Sequence, residues 1–464
     1  MKIILLSGGS GKRLFPMSND IRSKQFLRLL PGSNGTRISM LQRVWSQLEV
    51  AHLADSTYIC SSDEHAEVIA TQIGEARMIE EPTSRDTFPA IALSTLYLHD
   101  HEHVSDDEII LVMPVDPYVE ASFFVALETL AQQLTQSSAD LALIGVRPTS
   151  PSEKYGYIVI QPESDQAHFR VERFNEKPTE EVATQLIAKG ALWNCGVFGF
   201  RTGFLRTWLA DHGYPTNYQS MLEMWPTINK ISFDYEVVEN IASSVIVVPY
   251  DGEWNDLGTW DALTSKVTQE MIGHGMLVNS TNTHVINELS VPAIVAGCTN
   301  LVVVATEDGI LVSDKQQSVR VKELSIPFAH RPMVVERRWG HYRILEHRIF
   351  DGTSEMLVQH VHIYPGHALS YHKHVQRREV WTIIQGHGLL ATETGIREIA
   401  IGSVIHIEPH QWHAIKALDQ LEMIEVQQGS QVQEEDIIRR FLTWEEVEHH
   451  LIGQEVAATT QSFI

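Results

Sequence analysis

The pattern of apolar and amphipathic stretches changes twice along the chain, and these changes limit its possible folds more than any other feature of the sequence. From residue 1 to about 265, apolar runs such as KIILLS, EIILVMPVD and LALIGV alternate with amphipathic stretches such as ISMLQRVWSQLEVAHLA. This alternation is typical of an α/β domain whose mostly parallel sheet is covered by helices on both faces. We therefore predict a Rossmann-like α/β fold for residues 1–268.

Two β-rich regions follow this domain. Between about 275 and 325, short β-type pieces such as LVVVATEDGILVSD succeed one another without helical stretches, which predicts a small β-helix-like connector over residues 269–328. From about 330 to 430 strand patterns continue while His and Gly become frequent, which predicts a separate β-barrel within residues 329–464. The later stretch EEDIIRRFLTWEEVEHHLIG has an amphipathic pattern that predicts helix.

Charge and cysteine usage exclude several functional classes. The 464 residues include 35 Lys and Arg against 59 Asp and Glu, a formal net charge of −24. So acidic a chain is a poor candidate for non-specific binding to nucleic acid or to anionic membranes, and no apolar run approaches the roughly 20 residues of a membrane span. Cys60, Cys195 and Cys298 are isolated, which argues against a disulfide framework and fits a reducing cytoplasm, where we expect the protein.

A glycine-rich segment, LLSGGSGKRLFPMS, directly follows the first predicted strand. Ligands of open α/β sheets bind beyond the carboxyl ends of the strands, and glycines there let backbone N–H groups approach an anion closely. Arg13 and Lys24 would add positive charge for phosphate oxygens. The segment therefore indicates a nucleotide-phosphate loop, although an ordinary glycine-rich turn with solvated basic residues would look similar. It matches neither the Walker A pattern nor GxGxxG.

Several segments together carry a family resemblance. The segments that occur in order are GGSGKRLFP, SKQFL, EEPTSRDTFPAIAL, ILVMPVDPYV, KYGYIVI, VERFNEKP, LWNCGVFGF, ISFDYEVVEN and WNDLGTWDAL. They resemble the motifs of sugar-1-phosphate nucleotidyltransferases, most closely the mannose-1-phosphate guanylyltransferases. VERRWGHY and the region after it resemble the type II phosphomannose isomerase half of bifunctional enzymes, which implies a cupin barrel. The resemblance implies a cytoplasmic enzyme that converts GTP and mannose 1-phosphate to GDP-mannose and pyrophosphate with Mg²⁺, for polysaccharide biosynthesis.

The resemblance also implies roles for individual residues. Asp116, which ends ILVMPVD, and Asp256, in WNDLGTW, would hold the Mg²⁺; from the residues alone they could equally be a helix N-cap and a turn-stabilising Asp. Arg13 and Lys24 would contact the triphosphate, and Lys177 would bind the sugar phosphate, although EKP by itself is typical of a charged turn. The other implied nucleotide contacts are Leu6, Gly8, Gly9, Ser10, Gly11, Lys12 and Arg85, and the implied sugar contacts are Gly156, Glu176 and Asn194.

A second group of candidate ligands lies in the predicted barrel. In GHALSYHKHVQRREVWTIIQG, His372 and His374 are two residues apart and would share one face of a strand. With Glu379 and the distant His413 they match the spacing of the cupin metal motif and suit Zn, Fe, Mn or Co. An isolated HxH pair is more often a packing or surface pair. Ala414 stands where the isomerases typically have Arg, which argues against isomerase activity and for a structural or regulatory cupin.

Other functions stay open at this stage. Asp86 and Pro117 replace the family's usual Asn and His, so the nucleotidyltransferase could act on another sugar 1-phosphate, such as glucose or manno-heptose. The chain could also be a non-catalytic, ligand-sensing regulator, but the presence of Arg13, Lys24 and Asp116, among other expected charges, argues against this. The β-rich connector could mediate assembly into a homo-oligomer.

Overall fold

A computed structural model describes residues 1–9, 12–19, 21–161, 168–328, 331–433 and 436–451. The chain divides into two compact units, Met1–Phe328 and Ala329–Ile464. Within the described residues, no helix combines the length and apolar character that crossing a membrane requires.

A nine-stranded, mostly parallel sheet forms the centre of the first unit, as the alternating pattern predicts. Its strands lie in the order Arg77–Glu80, Thr57–Ser61, Lys2–Leu6, Ile109–Pro114, Leu192–Arg201, Leu141–Val146, Val245–Tyr250, Phe169–Asn175 and Tyr157–Ile160. The first four strands of this order are parallel to one another. Leu192–Arg201 is antiparallel to both of its neighbours in that order, which makes the sheet mixed. The Rossmann-like fold class is confirmed.

Helices cover both faces of this sheet because successive strand residues point to opposite sides. Ile3 and Leu5 belong to the core on one face, and Ile4 belongs to the core on the other. The first long helix, Met40–Val50, begins at a capping box in which Ser39 and Gln42 bond each other's backbone N–H groups. The α-helices after it are Asp63–Ile73, Thr87–Asp100, Ser122–Gln136, Glu180–Ala188, Thr202–Asp211, Tyr218–Met224, Phe233–Glu236 and Trp260–Thr264.

The connector folds as two short coils of parallel strands and belongs to the first unit. Met271–Gly273, His284–Asn287 and Leu301–Thr306 stack in parallel, as do Gly275–Val278 and Ala293–Ala296. Residues 18 apart stack at the turns, where Asn282 and Asn300 share a 2.7 Å hydrogen bond. Gly309–Asp314 and the short helix Val321–Ser325 follow.

The connector shares a hydrophobic core with the segment that follows the glycine-rich loop. Val302 and Val304 pack in one cluster with Leu14, Met17 and Trp260. The proposed boundary at residue 268 therefore divides a continuous core, and it stays a prediction.

The second unit is a barrel of two sheets, as expected for a cupin. Its six-stranded sheet has the order Val334–Arg337, Gly340–Phe350, Ser354–Ile363, Leu421–Gly429, Arg377–Gln385 and Val404–Ile407. Its five-stranded sheet has the order Gly395–Ala400, His387–Thr392, His413–Ala417, Tyr371–His374 and Ile437–Phe441.

The prediction of a helix for EEDIIRRFLTWEEVEHHLIG is wrong for residues 437–441. Ile437–Phe441 is a β-strand that pairs with Tyr371–His374, and helix begins only at residue 444. Paired ladder bonds to a neighbouring strand outweigh the local amphipathic pattern here, since strand preference depends on tertiary context.

Candidate active site and barrel metal centre

A cleft of about 600 Å³ opens beyond the carboxyl ends of the central strands of the first unit. It is lined by the turn after Lys2–Leu6, including Gly8 and Gly9, and by the residues that follow Ile109–Pro114, including Asp116. This is the edge at which open α/β sheets bind ligands.

Three predicted residues converge in this cleft. The Lys24 ammonium lies 2.5 Å from Asp116 Oδ2 and 2.9 Å from Asp256 Oδ1. The convergence follows from the fold, because Asp256 pairs with Pro117 in a short antiparallel ladder that places it beside Asp116. Asp116 is not a helix N-cap, because a strand follows it, and the Asp256 side chain accepts from Lys24.

The electrostatics of this cluster favour the charged forms of Lys24 and Asp256. Burial alone would lower the pKa of Lys24, but the carboxylates of Asp116 and Asp256 raise it above its ordinary value. Burial alone would raise the pKa of Asp256, but Lys24 and Arg13 lower it below its ordinary value. Two carboxylates directed at one point are the ligands that Mg²⁺ prefers, so the donor set fits a divalent cation.

The glycine-rich loop lies at this cleft. Leu6, Gly8, Gly9 and Arg13 line it. A Cβ on Gly8 would come within 3.1 Å of Glu81 Oε2, so a side chain there would crowd the cleft wall. Ser10 and Gly11 lie outside the described residues, and Lys12 is the first residue of the 3-10 turn Lys12–Leu14.

Arg85, a predicted nucleotide contact, does not line the cleft. Its guanidinium donates to the backbone carbonyls of Ile228 and Pro226, each at 2.9 Å. The cleft wall is formed instead by its neighbours Ser84 and Asp86, and Asp86 also caps the helix Thr87–Asp100.

The predicted sugar contacts form a second cluster beside the cleft. Gly156 accepts from the backbone N–H of Asn194 at 2.8 Å, and the Asn194 side chain donates to Asp234 at 2.6 Å. Lys177 pairs with Glu176 and has a positive φ of 45°. A Cβ on Gly156 would come within 2.4 Å of Glu176 Oε2 and 2.6 Å of Phe174 Cζ, so a larger residue here would have to displace these side chains.

In the barrel, the four predicted ligands also come together. His374 Nε2 lies 2.9 Å from Glu379 Oε1, and His413 Nε2 lies 3.6 Å from Glu379 Oε2. His372 and His413 donate from Nδ1 to the carbonyls of Ser370 and Gln411, an arrangement that leaves Nε2 of each ring as an electron-pair donor.

This group fits a metal ion. Nδ1 of His374 and Nε2 of His413 are buried without a hydrogen-bond partner among the described residues, while Nε2 of His374 faces Glu379. Burial lowers the pKa of His413 to about 4 and that of His372 below its ordinary value, so both rings are neutral, the form that binds metals. Burial alone would raise the pKa of Glu379, but His374, His413 and Arg377 hold it well below its ordinary value.

Two family models together match most of the chain. A model of the nucleotidyl transferase family matches residues 2–271, and a model of the mannose-6-phosphate isomerase C-terminal family matches residues 328–441. The mannose-1-phosphate guanylyltransferase of Escherichia coli K12 is 30% identical over 478 residues, which cover 94% of this chain and 97% of that protein. This chain belongs to the mannose-1-phosphate guanylyltransferase family.

Two other similar proteins extend this finding. The xanthan biosynthesis protein XanB of Xanthomonas campestris pv. campestris B100 is 30% identical over 475 residues, covering 94% of this chain and 97% of that one. The crystal structure of a mannose-1-phosphate geranyltransferase, as it is named, from Thermus thermophilus is 28% identical with a TM-score of 0.59, and covers 70% of this chain and 97% of that one. The resemblance seen in the sequence is confirmed.

Within this guanylyltransferase-family cleft, sequence reasoning missed four charged residues. Glu81, Lys230, Asp234 and Lys322 line it. Burial raises the pKa of Glu81 to about 7, and burial together with Glu176 raises that of Asp234 to about 7. Glu81 and Asp234 lie in the segments EEPTSRDTFP and ISFDYEVVEN, where the motif was visible but the individual carboxylates were not distinguishable.

Lys322 could not have been found from a motif. It lies on the helix Val321–Ser325, at the end of the connector, and reaches the cleft only because this helix packs on the 3-10 turn Lys12–Leu14. The connector thereby supplies a positive charge to the nucleotidyltransferase cleft.

The packing around Ala414 explains why an alanine fits where the isomerases typically have Arg. Ala414 is fully buried in a small apolar cluster with Tyr371 and Trp444, on the side of its strand opposite to His413. Positive charge reaches the barrel cavity from other positions, since the cavity of about 110 Å³ beside the ligands is lined by Arg331, Arg337, Arg377 and Arg439.

Proposed function

We propose that the chain catalyses transfer of the guanylyl group of GTP to mannose 1-phosphate, forming GDP-mannose and pyrophosphate. The observation that carries the proposal is the convergence of Lys24, Asp116 and Asp256 in a cleft lined by the glycine-rich loop. The isolated cysteines support the cytoplasm as the location.

The reaction is an in-line displacement. A phosphate oxygen of mannose 1-phosphate forms a bond to the α-phosphorus of GTP, the bond from this phosphorus to the bridging oxygen breaks, and pyrophosphate leaves with the electron pair. The task of the protein is positioning and neutralisation of charge. Asp116 and Asp256 would hold Mg²⁺, which neutralises phosphate charge when bound.

The remaining residues would divide between the two substrates. Arg13 and Lys24 would neutralise the triphosphate and the departing pyrophosphate, and Lys322 would contribute to binding of the triphosphate, since all three line the cleft. Backbone N–H groups around Gly8 and Gly9 would bind phosphate oxygens.

On the sugar side, Lys177 would bind the phosphate of mannose 1-phosphate. Glu176, Asn194 and Asp234 would accept from or donate to the hydroxyl groups of the sugar. This assignment is supported by the position of the Glu176 carboxylate, which lies beside Gly156 and close enough to Asp234 to raise its pKa.

The test is pyrophosphate release from GTP plus mannose 1-phosphate with Mg²⁺. We expect Asp116→Asn and Asp256→Asn each to lose roughly 10²-fold or more in kcat, the scale of losing one preorganised electrostatic contact. The matched control is Asp251→Asn, because Asp251 pairs with Arg147 on the exposed surface and should keep wild-type activity.

Other outcomes distinguish the alternatives. If pyrophosphate were released with glucose 1-phosphate or manno-heptose 1-phosphate but not with mannose 1-phosphate, that sugar phosphate would be the substrate instead. Equal thermal stabilisation by GTP, ATP, UTP and CTP would contradict guanine selectivity, since a nucleotide at 100 times its Kd adds about 2.7 kcal/mol. An absence of both turnover and nucleotide binding would favour a regulator.

For the barrel we propose a divalent Zn, Fe, Mn or Co ion held by His372, His374, Glu379 and His413. Isomerisation of mannose 6-phosphate to fructose 6-phosphate is a second candidate function, favoured by the four arginines at the cavity, which suit a phosphate group. A coupled isomerase assay with each metal tests it, with His413→Gln expected to abolish turnover and His387→Gln, at an exposed histidine, expected to retain it.

Formation of a homo-oligomer through the connector stays a prediction. Its outer strands expose Met276, Ile294, Ile310 and Val312, each more than half accessible. Light scattering of the wild type and of Ile294→Lys with Ile310→Lys would measure the assembly.

A further inference from the structure

A row of polar side chains crosses four adjacent strands on the barrel. Glu336, His341, His362 and Glu422 lie directly opposite one another in the consecutive strand pairs. His360 is two residues from His362 on the same strand and therefore shares its face. Direct cross-strand neighbours have Cβ atoms about 4.5–5.5 Å apart, close enough for their side chains to interact.

This row lies on the outer face of the barrel. Val361 and Ile363, which alternate with the histidines, are buried in the interior. The side chains of His360 and His362 are 20% and 24% exposed. The group is thus separate from the interior ligands, of which His413 is fully buried.

Two imidazoles share one carboxylate in this group. His360 Nε2 lies 3.0 Å from Glu422 Oε2, and His362 Nδ1 lies 3.3 Å from Glu422 Oε1. The His360 and His362 ring centroids are 4.4 Å apart, and His341 stacks on His362 with centroids 4.5 Å apart at 11°. The potential ligand atoms of His360, His362 and Glu422 all lie within 4.8 Å of one another.

We propose that His360, His362 and Glu422 form a second metal site on the barrel, which binds a divalent transition-metal ion such as Zn²⁺, Co²⁺ or Ni²⁺. Two imidazoles and one carboxylate are a ligand set that these ions accept. Ligand atoms about 2.1 Å from one ion lie roughly 3.4 Å from one another, so small rotations of these partly exposed side chains close the remaining distance. His341 stacks on His362 and covers one face of that ring.

The competing explanation is an ordinary hydrogen-bonded surface cluster. His387 and Asp419 form such a pair at 2.8 Å, exposed and with one imidazole only. Arg343 lies opposite His360 on the next strand, and its charge opposes the binding of a cation. What distinguishes the proposed site is the second imidazole on the same carboxylate, and the experiment measures whether this difference matters.

The experiment counts Co²⁺ ions bound per chain by equilibrium dialysis, using the full chain without a histidine tag after removal of metal with a chelator. The test variant carries His360→Gln and His362→Gln, and circular dichroism verifies that it is folded. We expect it to bind one Co²⁺ fewer than the wild type, whereas His387→Gln binds the wild-type number. Equal binding by the test variant and the wild type overturns the proposal.

A second comparison separates the two barrel sites. The variant His372→Gln with His413→Gln removes interior ligands and leaves the outer group intact. We expect the outer substitutions, made in this background, to remove one further Co²⁺, with loss of the visible absorption of that ion. No further loss in this background contradicts the proposal as well.

Discussion

Replacement of Lys24 by Met tests how the cleft is held together before any substrate binds. Methionine keeps the unbranched stem but removes the ammonium that contacts Asp116 at 2.5 Å and Asp256 at 2.9 Å. The Lys24 side chain is 8% exposed, and each carboxylate is 31% exposed. The variant therefore leaves two carboxylates facing each other with only partial hydration.

The expected loss follows from these contacts. A hydrogen bond to a charged group contributes about 1.5–3 kcal/mol, and exposure of the carboxylates reduces the value through solvent screening. We expect Lys24→Met to lower the free energy of unfolding of the first unit by about 2–3 kcal/mol at pH 7 without divalent ions. Mg²⁺ should restore part of this stability, and should stabilise the variant more than the wild type.

The pH dependence has a definite sign. The lowered pKa of Asp256 gives stability that is present above about pH 4 and is lost as pH falls through the folded-state pKa. The raised pKa of Lys24 gives stability that is present below about pH 10 and is lost as pH rises through its folded-state pKa. The difference between wild type and Lys24→Met should therefore be largest between these limits and decrease in acid.

Urea unfolding followed by tryptophan fluorescence measures the effect. Six of the ten tryptophans lie in the first unit, so the signal reports mainly on it. Arg147→Met is the matched control, because its partner Asp251 and Arg147 itself are both more than two-thirds exposed and should contribute less than about 1 kcal/mol. If Lys24→Met in chelator unfolded at the same urea concentration as Arg147→Met, the argument for a cation-bridged cleft would be refuted.

Three further predictions concern substrate contacts. Gly156→Ala should raise KM for mannose 1-phosphate roughly tenfold or more, because the added Cβ displaces Glu176 and costs a charged contact; an unchanged KM would contradict the sugar assignment, and KM for GTP is the internal control. Lys322→Ala should raise KM for GTP while kcat changes little, and the reverse pattern in steady-state kinetics would contradict a binding role. Asp234→Asn should become more stable relative to wild type as pH rises from 4 to 7, because the raised pKa of Asp234 makes the folded wild type hold a proton that the unfolded chain has already released near pH 4; parallel urea midpoints across these pH values would be inconsistent with that shift.

Local hydrophobic patterns were sufficient to predict the fold class because the apolar residues of these patterns form the cores on the two faces of the sheet. The continuous apolar run in KIILLS predicts a strand buried on both faces, and Ile3 and Ile4 do lie in the cores on opposite faces. The strand Ile437–Phe441 shows the limit of this reasoning. Its partner strand, Tyr371–His374, lies more than 60 residues earlier, and no local pattern records that pairing.

In the candidate sites too, residues within motifs could be predicted from the sequence, whereas contacts between distant segments could not. Asp116 and Asp256 are recognisable in motifs, but their shared contact with Lys24 depends on a ladder between distant segments. Arg85 lies in a recognisable motif yet bonds backbone carbonyls that come from residues more than 140 positions later. Lys322 has no motif, because its relevance arises entirely from the packing of the connector.

That packing has a consequence for how the chain can be altered. The connector rests directly on the residues after the glycine-rich loop. The Phe15 ring would lie 3.1 Å from a Cβ on Gly309, and Trp260, in the shared core, donates from its indole N–H to the Phe15 carbonyl at 3.0 Å. Arg22 forms a two-pronged ion pair with Glu288. In a hybrid enzyme whose catalytic domain was exchanged at residue 268, the phosphate loop and the connector would come from different proteins and these contacts would be lost. The loop and the connector should therefore be exchanged together.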